Sequence, residues 1–391
     1  MTNVVMLTNA LSHSGGGVTG VVRDLAMALH DNGHGAMSVV GVINGKERLD
    51  PLNFGAASVF PLDGYGPLSF GFSPRMVRTL RDIHPDVIHV HGVWGYPSWA
   101  ALKCASHYSC PYLVSPHGML NEWALNISRT RKKLWLRTVE GCHLKRAGCL
   151  IALNENEADS IRRLGFKTPI AIVPNGVHIP ETSPKENPAW RDAIPPSTKV
   201  LLFLSRLHPK KGLELLLDSW KRLGNFGGGR DWVLVIAGWG ESQYVDRLKD
   251  QVERLGIAER VVFVGPQFDE DKLKSFRAAD GFILPSYDEG LPLAVLEAFA
   301  LGVPVLMSKY CNLKRAFDTG AAMPVPLEVE SMANSLVKFM QLESSQRNLM
   351  ALRATELVAA EFSWGQVAER MEKVYRWVAG KGERPAALMF D

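Results

Sequence analysis

The sequence contains little of what marks a secreted or membrane-spanning protein. Its five cysteines are an odd number and form no Cys-x-x-Cys pair, which argues for reduced thiols and against a disulfide framework or a zinc site. The first residues lack the basic start, apolar run and cleavage site of a signal peptide. No uncharged apolar stretch approaches the ~20 residues that a membrane-spanning helix needs. We therefore expect a soluble, cytoplasmic protein.

The charge balance is nearly even. A formal net charge of +4 is too small to indicate nucleic-acid binding unless it is concentrated in one patch. Hydrophobic residues make up 46% and charged residues 21% of the 391 residues, which is typical of globular domains rather than of disordered chains. A chain of this length exceeds one ordinary domain, so we expect two.

Short apolar runs alternate with amphipathic stretches, as in parallel β-sheets whose strands are joined by helices. The stretch 180–188, rich in proline and polar residues, is the predicted linker between two such α/β domains. Ligands of these sheets bind outside the carboxyl ends of the strands, so two domains predict a two-substrate enzyme. The predicted strands are residues 4–8, 37–43, 87–90, 112–114, 149–153, 170–173, 200–204, 232–237, 261–264, 281–284 and 303–307.

A glycine-rich turn follows the first predicted strand, with Gly15, Gly17 and Gly20 in the spacing of dinucleotide-binding proteins. Glycines let backbone N–H groups approach a phosphate at the positive end of a helix. An NAD-binding protein would carry an acid near the end of the second strand, but residues 39–44 contain no carboxylate. Contact with a phosphate and a tight turn without a ligand both stay open.

A basic segment, SRLHPKKG, follows the first strand of the second domain and contains Arg206 and Lys211. Cations at a strand–helix junction can stabilise the charge that develops on a departing diphosphate. A solvated basic turn is the alternative for this segment taken alone.

Two glutamates, Glu289 and Glu297, stand eight residues apart around a predicted helix start at Pro292. Glu289 lies beside the positive end of that helix, where a carboxylate can accept hydrogen bonds from sugar hydroxyls. Glu297 lies on an otherwise apolar helix, where its burial would be costly unless it binds something polar, such as a ribose. The alternative is a capping acid followed by an exposed helical glutamate.

Histidines cluster near the ends of two first-domain strands. His117 follows a strand and faces the predicted ligand edge, although, taken alone, its position favours a structural hydrogen-bonding role over a catalytic one. His89 and His91 alternate on one strand, as a metal pair would, but no third ligand is evident.

Together and in this order, these segments resemble glycosyltransferase family 4, retaining enzymes of the GT-B fold with two facing Rossmann-like domains. The glutamates within DEGLPLAVLEAFALGVPV resemble the family signature, and SRLHPKKGL resembles its diphosphate-binding segment, although Ser205 stands where the family commonly has glycine. PNGV at residues 174–177 resembles the end of the family's first domain, and FSW at residues 362–364 the start of its crossing helix. This resemblance implies domains of residues 1–178 and 179–362, with a helix of residues 363–380 that packs back on the first domain. From Glu330 onward the chain is predicted to be helical, ending in FSWGQVAERMEKVYRWVAG at residues 362–380.

The resemblance also implies a role for each matching residue. Arg206 and Lys211 would bind the diphosphate, and Glu289 and Glu297 the donor sugar and the ribose. His117 would lie over the donor sugar and help to stabilise the transition state, with the departing phosphate accepting the proton of the acceptor. Neither a metal ion nor another cofactor is implied. The full donor-binding set is Gly16, Gly17, Arg206, Lys211, Gly238, Val264, Glu289, Gly290, Leu291 and Glu297.

The segment from Arg129 to Arg146 contains seven Lys or Arg residues and one acid, Glu140. We predict a single helix over residues 132–146, which could lie on an anionic membrane surface or present a plain solvated face. The nearby SPHGML and NEWAL segments resemble bacterial envelope-polysaccharide enzymes, many of which extend lipid-linked sugars. The implied reaction is transfer from a UDP- or GDP-sugar to a saccharide acceptor, lipid-linked, in surface polysaccharide synthesis.

Other functions stay open at this point. A sugar-nucleotide epimerase or a phosphorylase of the same fold would use similar pockets, although no local signature of a pyridoxal lysine is present. An NAD oxidoreductase is disfavoured by the missing acid after the second strand. A non-catalytic nucleotide-sugar-binding protein would bind the donor without turnover.

Overall fold

The structure is a computed structural model that describes residues 2–12, 16–43, 54–180, 186–223 and 231–389. Gly15 and residues 181–185 of the predicted linker lie outside the described residues. The chain divides into two compact units. The N-domain comprises Met1–Gly176 and Trp364–Asp391, and the C-domain comprises Val177–Ser363.

Both domains are built on a parallel β-sheet, which confirms the predicted α/β class. The N-domain strands are β1 (Val4–Thr8), β2 (Met37–Ile43), β3 (Ser58–Asp63), β4 (Val87–His91), β5 (Tyr112–Ser115), β6 (Cys149–Ala152) and β7 (Ile170–Ile172). The C-domain strands are β8 (Lys199–Leu204), β9 (Trp232–Ala237), β10 (Val261–Gly265), β11 (Gly281–Leu284), β12 (Val305–Met307) and β13 (Ala322–Pro324). A last short strand, β14 (Leu388–Met389), returns to the N-domain and pairs antiparallel with β7.

Helices connect the strands within each domain. The N-domain helices are α1 (Gly17–Asp31), α2 (Met76–Ile83), α3 (Tyr96–Tyr108), α4 (Glu122–Asn126), α5 (Arg129–Arg137), α6 (Val139–Arg146) and α7 (Glu155–Arg163). The C-domain helices are α8 (Leu213–Arg222), α9 (Ser242–Leu255), α10 (Asp269–Arg277), α11 (Leu293–Ala300), α12 (Lys314–Asp318), α13 (Val329–Gln341) and α14 (Ser344–Glu361). The last helix, α15 (Trp364–Val378), belongs to the N-domain.

The strand order of each sheet reverses at its centre. The N-domain order is β14-β7-β6-β5-β4-β1-β2-β3, and the C-domain order is β10-β9-β8-β11-β12-β13. The reversal lies between β1 and β4 in the first sheet and between β8 and β11 in the second. Connections then leave in opposite directions and open a crevice outside the carboxyl ends of the two strands, where doubly wound sheets bind their ligands.

Side chains of β1 alternate between two apolar layers of the N-domain. Val4 and Met6 pack in the layer that contains α1 and α15, whereas Val5 and Leu7 pack in the layer on the other face of the sheet. All four are fully buried, and each such burial contributes roughly 2 kcal/mol to folding. The helix α15 is therefore part of the N-domain core, although it follows the C-domain in sequence.

One local prediction is wrong. The helix predicted over residues 132–146 is broken at Thr138 (φ −119°, ψ −114°), where α5 ends and α6 begins. The break brings Gly141 so close to α5 that a Cβ atom there would lie 1.9 Å from the carbonyl oxygen of Leu136. The helical stretch predicted from Glu330 is observed as α13, α14 and α15, after which the chain turns at Gly380 (φ 70°) and returns as β14.

Candidate active site

Glycines allow the loops at the C-domain crevice to touch. A Cβ atom at Gly212, which has φ 72°, would lie 2.2 Å from the carbonyl oxygen of Pro285. A Cβ atom at Gly238, which has φ 147°, would lie 1.9 Å from the carbonyl oxygen of Ser205. Both positions therefore require glycine for the backbone alone. Contact between Gly238 and a donor stays a prediction.

Lys211 and Glu289 meet in this crevice. Lys211 Nζ lies 2.5 Å from Glu289 Oε1, and Ser286 Oγ donates a hydrogen bond to the same oxygen at 2.6 Å. The Glu289 backbone is also held, because its N–H donates to the Tyr310 carbonyl oxygen at 3.0 Å and its carbonyl accepts from the Asn312 side chain. Glu289 Oε2 receives no hydrogen bond within the described part of the chain. The carboxylate is thus fixed by one oxygen and can offer the other to a ligand hydroxyl.

Arg206 follows the central strand β8 and is exposed. Among the described residues, no carboxylate or hydrogen-bond acceptor pairs with it. Lys210, four residues later, is instead neutralised by Asp288, with Nζ and Oδ2 2.8 Å apart. The pKa of His208 is lowered first by burial and then by the positive charge of Arg206. A diphosphate in the crevice would supply the counter-ion that Arg206 lacks.

Glu297 lies on α11 and forms an ion pair that the sequence did not predict. Lys272 Nζ, on α10, lies 2.6 Å from Glu297 Oε1, and the Glu297 side chain is 22% exposed. Lys272 is therefore a polar partner for this carboxylate within the protein, and the position of Glu297 does not by itself require a ligand. Binding of a ribose by Glu297 stays a prediction.

Gly290 and Leu291 lead into α11, and both are half-buried. The first residue before the helix, Pro292, provides no side-chain cap. The opening N–H groups of a helix have no partners within the helix, and they carry its positive partial charge. The start of α11 is consequently suited to an anion or to sugar oxygens next to Glu289.

Two exposed aromatic rings stand after neighbouring C-domain strands. Trp239 follows β9 and Phe268 follows β10, where they are 51% and 55% exposed. Their ring centroids lie 5.2 Å apart with an interplanar angle of 50°. Val264 lies within β10 and is half-buried. Paired rings left open to water in this way offer a surface on which a planar group can stack.

The N-domain crevice begins at the start of α1. Gly16 caps this helix with φ 63° and ψ −149°, a conformation that essentially only glycine adopts. A Cβ atom at Gly16, Gly17 or Gly20 would meet nothing within 4 Å. Packing within the described residues therefore does not explain the glycines at Gly17 and Gly20. Open space beside a helix N-terminus is consistent with either a phosphate site or an empty turn.

His117 lies just beyond β5, in a turn with a left-handed backbone (φ 51°). Its Nε2 atom lies 3.1 Å from His91 Nδ1, and the two rings stack with centroids 5.3 Å apart. The next residue, Gly118, donates its N–H to Glu157 Oε1 at 2.6 Å. Burial lowers the pKa of His117 to about 4, so the imidazole is neutral at pH 7.

His89 and His91 form hydrogen bonds with side chains of the N-domain. His89 Nδ1 lies 2.7 Å from Tyr375 Oη on α15, and His89 Nε2 lies 2.7 Å from Ser115 Oγ. Both ring nitrogens of His89 are therefore engaged, and His91 directs Nδ1 to His117. Among the described residues, no group of three or more His, Cys, Asp or Glu side chains could hold a metal ion.

Two buried carboxylates accept hydrogen bonds from backbone N–H groups at the N-domain crevice. No sequence motif predicted either of them. Glu157 accepts the backbone N–H groups of Gly118 at 2.6 Å and Leu153 at 2.8 Å. Glu140 accepts the backbone N–H of Trp94 at 2.8 Å. Burial raises the pKa of both carboxyl groups, and that of Glu140 reaches about 7. The only hint in the sequence is that Glu140 is the single acid of the basic segment.

The basic segment itself is largely open to solvent. No residue of α5 is buried, and Leu134 on this helix is 63% exposed. Lys132 Nζ donates to the Ala124 carbonyl oxygen at 2.5 Å and ties α5 to α4. Of the helices that the described residues form, none has the length and apolar character to cross a membrane.

Comparison with known proteins decides the family. Residues 15–180 match the model of Glycosyltransferase Family 4, and residues 185–355 match that of Glycosyl transferases group 1. The D-inositol 3-phosphate glycosyltransferase of Saccharomonospora viridis is 30% identical over 324 residues, 78% of this chain and 74% of that protein. The chain belongs to glycosyltransferase family 4. The resemblance drawn from the sequence motifs is thereby confirmed.

Solved structures place this glycosyltransferase in the GT-B fold. HepE of Anabaena in complex with UDP is similar with a TM-score of 0.76 at 19% identity, covering 95% of this chain and 99% of that one. Sucrose-phosphate synthase of Thermosynechococcus elongatus is similar with a TM-score of 0.76 at 22% identity, covering 97% and 99%. The predicted fold class is therefore confirmed.

Proposed function

We propose that this glycosyltransferase moves a sugar from a UDP- or GDP-linked donor to a saccharide acceptor, with retention of the anomeric configuration and without a metal ion. The observation that carries the proposal is the grouping of Arg206, Lys211 and Glu289 at the C-domain crevice. Arg206 is an exposed cation that pairs with no described carboxylate, and its charge and that of Lys211 both act on His208. Lys211 in turn pairs with one oxygen of Glu289. A diphosphate and a sugar hydroxyl are the ligands that this set suits.

The cations would act on the leaving group. As the bond between the sugar C1 atom and the diphosphate breaks, negative charge grows on the departing oxygen, and Arg206 and Lys211 would stabilise it. These two side chains, together with the N–H groups before α11, would take the place of a metal ion. HepE, a protein of the same fold, has been solved with UDP and with UDP-glucose, which supports a nucleotide-sugar donor for this chain.

Retention would follow from attack on the same face of the sugar. The acceptor oxygen would form its bond to C1 while the diphosphate departs, and the acceptor proton would pass to the departing phosphate oxygen. His117 would contribute as a neutral ring, because its pKa of about 4 leaves it uncharged at pH 7. Its N–H would therefore hydrogen-bond the sugar without adding charge.

The nucleoside would extend toward β9 and β10. Trp239 and Phe268 would offer their exposed rings to the base, beside Val264 and Gly238. Glu297 would accept the ribose hydroxyls through the oxygen that does not pair with Lys272. A base stacked on either ring would gain ~1–3 kcal/mol.

The acceptor is proposed to be a lipid-linked saccharide of surface polysaccharide synthesis, reached at the inner face of the cytoplasmic membrane. The exposed basic segment and Leu134 support this assignment, because cations and apolar groups together favour an anionic membrane surface. The curated relatives are named for a different acceptor, inositol 3-phosphate. An anionic acceptor is common to both.

The test is a transfer assay with radiolabelled UDP- and GDP-sugars and a lipid extract as acceptor, run with and without EDTA. We expect a labelled glycolipid from one donor, an unchanged rate in EDTA, and the donor's anomeric configuration in the product by NMR. An inverted product, or loss of activity in EDTA that added metal restores, would contradict the proposal. Donor breakdown without any glycoside would favour an epimerase or hydrolase instead.

A further inference from the structure

A groove of about 360 Å³ lies in the N-domain beside α4, α5 and α7. The groove is lined by leucines on three different segments of the chain, namely Leu120, Leu125, Leu136 and Leu164. Leu120 is fully buried, so the exposed hydrocarbon comes from the other three, which are half-buried. The volume falls within the range of small-molecule sites. The groove therefore offers a hydrocarbon surface that the protein itself does not cover.

Cations surround this apolar surface. Four of them, Arg129, Lys132, Lys133 and Arg163, line the groove together with a single carboxylate, Glu122. Arg129 and Lys133 form no ion pair with any described residue. Among the residues that the structure describes, Arg163 donates only to Ser160 Oγ, at 2.9 Å. The groove thus carries uncompensated positive charge next to exposed hydrocarbon.

Exposed leucines next to unpaired cations favour the binding of an amphiphile with an anionic head group. A phosphate ester would pair with Arg129, Lys133 and Arg163, because guanidinium and ammonium groups bind phosphate oxygens strongly. A water-soluble sugar phosphate would leave the leucines exposed and would gain nothing from them. A hydrocarbon chain attached to the phosphate would cover them, at about 25 cal/mol for each Å² removed from water.

The groove is connected to the N-domain crevice by short segments of chain. Leu120 lies three residues after His117, so their Cα atoms are at most about 11 Å apart. The helix α7 carries Arg163 at the groove and Glu157 at the turn that positions His117. A sugar attached to a phosphate in the groove would therefore lie near His117.

We propose that this groove binds the phosphate and the first hydrocarbon units of a lipid-linked acceptor. The phosphate lies against Arg129, Lys133 and Arg163, and the hydrocarbon lies against Leu125, Leu136 and Leu164. This inference rests on the proposed function, since it assigns the acceptor end of the same reaction.

Calorimetric titration of the full chain with geranyl phosphate, and separately with inorganic phosphate, tests it. We expect geranyl phosphate to bind and inorganic phosphate to bind at least tenfold more weakly, roughly 1.4 kcal/mol. Arg129→Gln and Lys133→Gln should each weaken geranyl phosphate about tenfold. Arg131→Gln, on the same helix but outside the groove, is the matched control and should bind like the wild type. Leu136→Ser should weaken geranyl phosphate without changing the binding of inorganic phosphate.

Each contrary outcome has a distinct meaning. Equal affinity for both phosphates, unaffected by Leu136→Ser, would overturn the lipid assignment in favour of a soluble phosphate ester. If Arg131→Gln lost as much affinity for geranyl phosphate as Arg129→Gln, the binding would depend on general surface charge, and the assignment of the groove would be wrong. UDP or GDP titrated into the same proteins separates this inference from the proposed function. Nucleotide binding without geranyl phosphate binding refutes the groove alone, whereas absence of nucleotide binding refutes the proposed function.

Discussion

Lys210 and Lys211 are adjacent in the sequence, yet the structure gives them different partners. Lys211 pairs with Glu289 Oε1 at 2.5 Å, and Lys210 pairs with Asp288 Oδ2 at 2.8 Å. The proposed mechanism needs the first pair and not the second. The two lysines therefore provide a matched test within a single turn.

Lys211→Met should lower kcat by about 10²–10³-fold, because a cation aimed at the leaving group is lost. Lys210→Met should lower it by less than about threefold, since a partly exposed ion pair contributes little. Steady-state turnover of the nucleotide-sugar measures both. Equal losses in the two variants would mean that Lys211 acts only through the stability of the loop.

His143 provides a test of stability rather than of catalysis. It is fully buried, and neither ring nitrogen has a hydrogen-bond partner in the described part of the chain. Its ring stacks on Tyr112 with centroids 5.0 Å apart. Burial lowers its pKa to about 3, whereas an unfolded histidine titrates near 6.5. The unfolded chain therefore binds this proton more readily, and the unfolding free energy falls as the pH drops from about 6.5 toward 3.

His143→Phe should keep a ring stacked on Tyr112. It should also remove the part of the fall in unfolding free energy at low pH that comes from protonation of His143. Between about pH 6 and pH 4, the slope of the unfolding free energy should decrease by up to ~1.4 kcal/mol per pH unit. Urea unfolding at several pH values measures this slope, with His34→Phe, outside the apolar clusters, as a control. An unchanged slope would show that His143 is protonated equally in both states.

For single residues, the sequence predicted the reactive side chains but not the side chains that hold them in place. The motifs containing Arg206, Lys211 and Glu289 are local patterns, and they can be recognised without a fold. The supports come from far along the chain, because Lys272 is 25 residues from Glu297 and Tyr375 is 286 residues from His89. No pattern in one sequence connects positions so far apart.

The start of α1 is the element on which the function of the glycines can be decided. Cβ atoms at Gly17 and Gly20 would meet nothing within 4 Å, and both residues lie within the helix. Alanine at either position should therefore stabilise α1 by up to ~1 kcal/mol. The stability of the fold should respond alike to alanine at Gly17 and at Gly20. Binding of a ligand at the N-terminus of α1 should be weakened only by alanine at Gly17.

Gly17→Ala should raise the KM for the donor severalfold while the melting temperature stays level or rises, because the added methyl group would stand where a phosphate or sugar approaches. Gly20→Ala, one turn further into the helix, should leave KM within about twofold. Donor saturation curves and thermal melts of both variants provide the comparison. If the KM for the donor were unchanged in both variants, the start of α1 would be a turn that binds no ligand.

Elements with a strong periodic signal were predicted well, and those shaped by their neighbours were not. The buried strand β9 was predicted at residues 232–237, as observed. The edge strand β3 was missed because Leu62 alone is buried among its six residues. The break between α5 and α6 was missed because it depends on the contact between Gly141 and Leu136, which requires the helices to be already packed.

For the molecule as a whole, the C-domain carries the proposed donor site and has its own apolar core. The strands β8, β9, β11 and β12 and the helices around them form one continuous cluster within Val177–Ser363. Expressed alone, this segment should unfold in one cooperative transition and bind the nucleotide diphosphate with nearly the affinity of the full chain. Denaturation followed by circular dichroism, with and without nucleotide, would check both expectations. A non-cooperative transition would mean that the C-domain depends on the N-domain for its fold.

The most direct test of the donor site is calorimetric titration of the full chain with UDP and with GDP. We expect that one of them binds, that Arg206→Gln weakens its binding at least about tenfold by removing a charge-assisted contact, and that Lys210→Gln changes it less than about twofold. Binding of neither nucleotide, or equal binding by wild type and Arg206→Gln, would contradict the assignment of the C-domain crevice as the donor site.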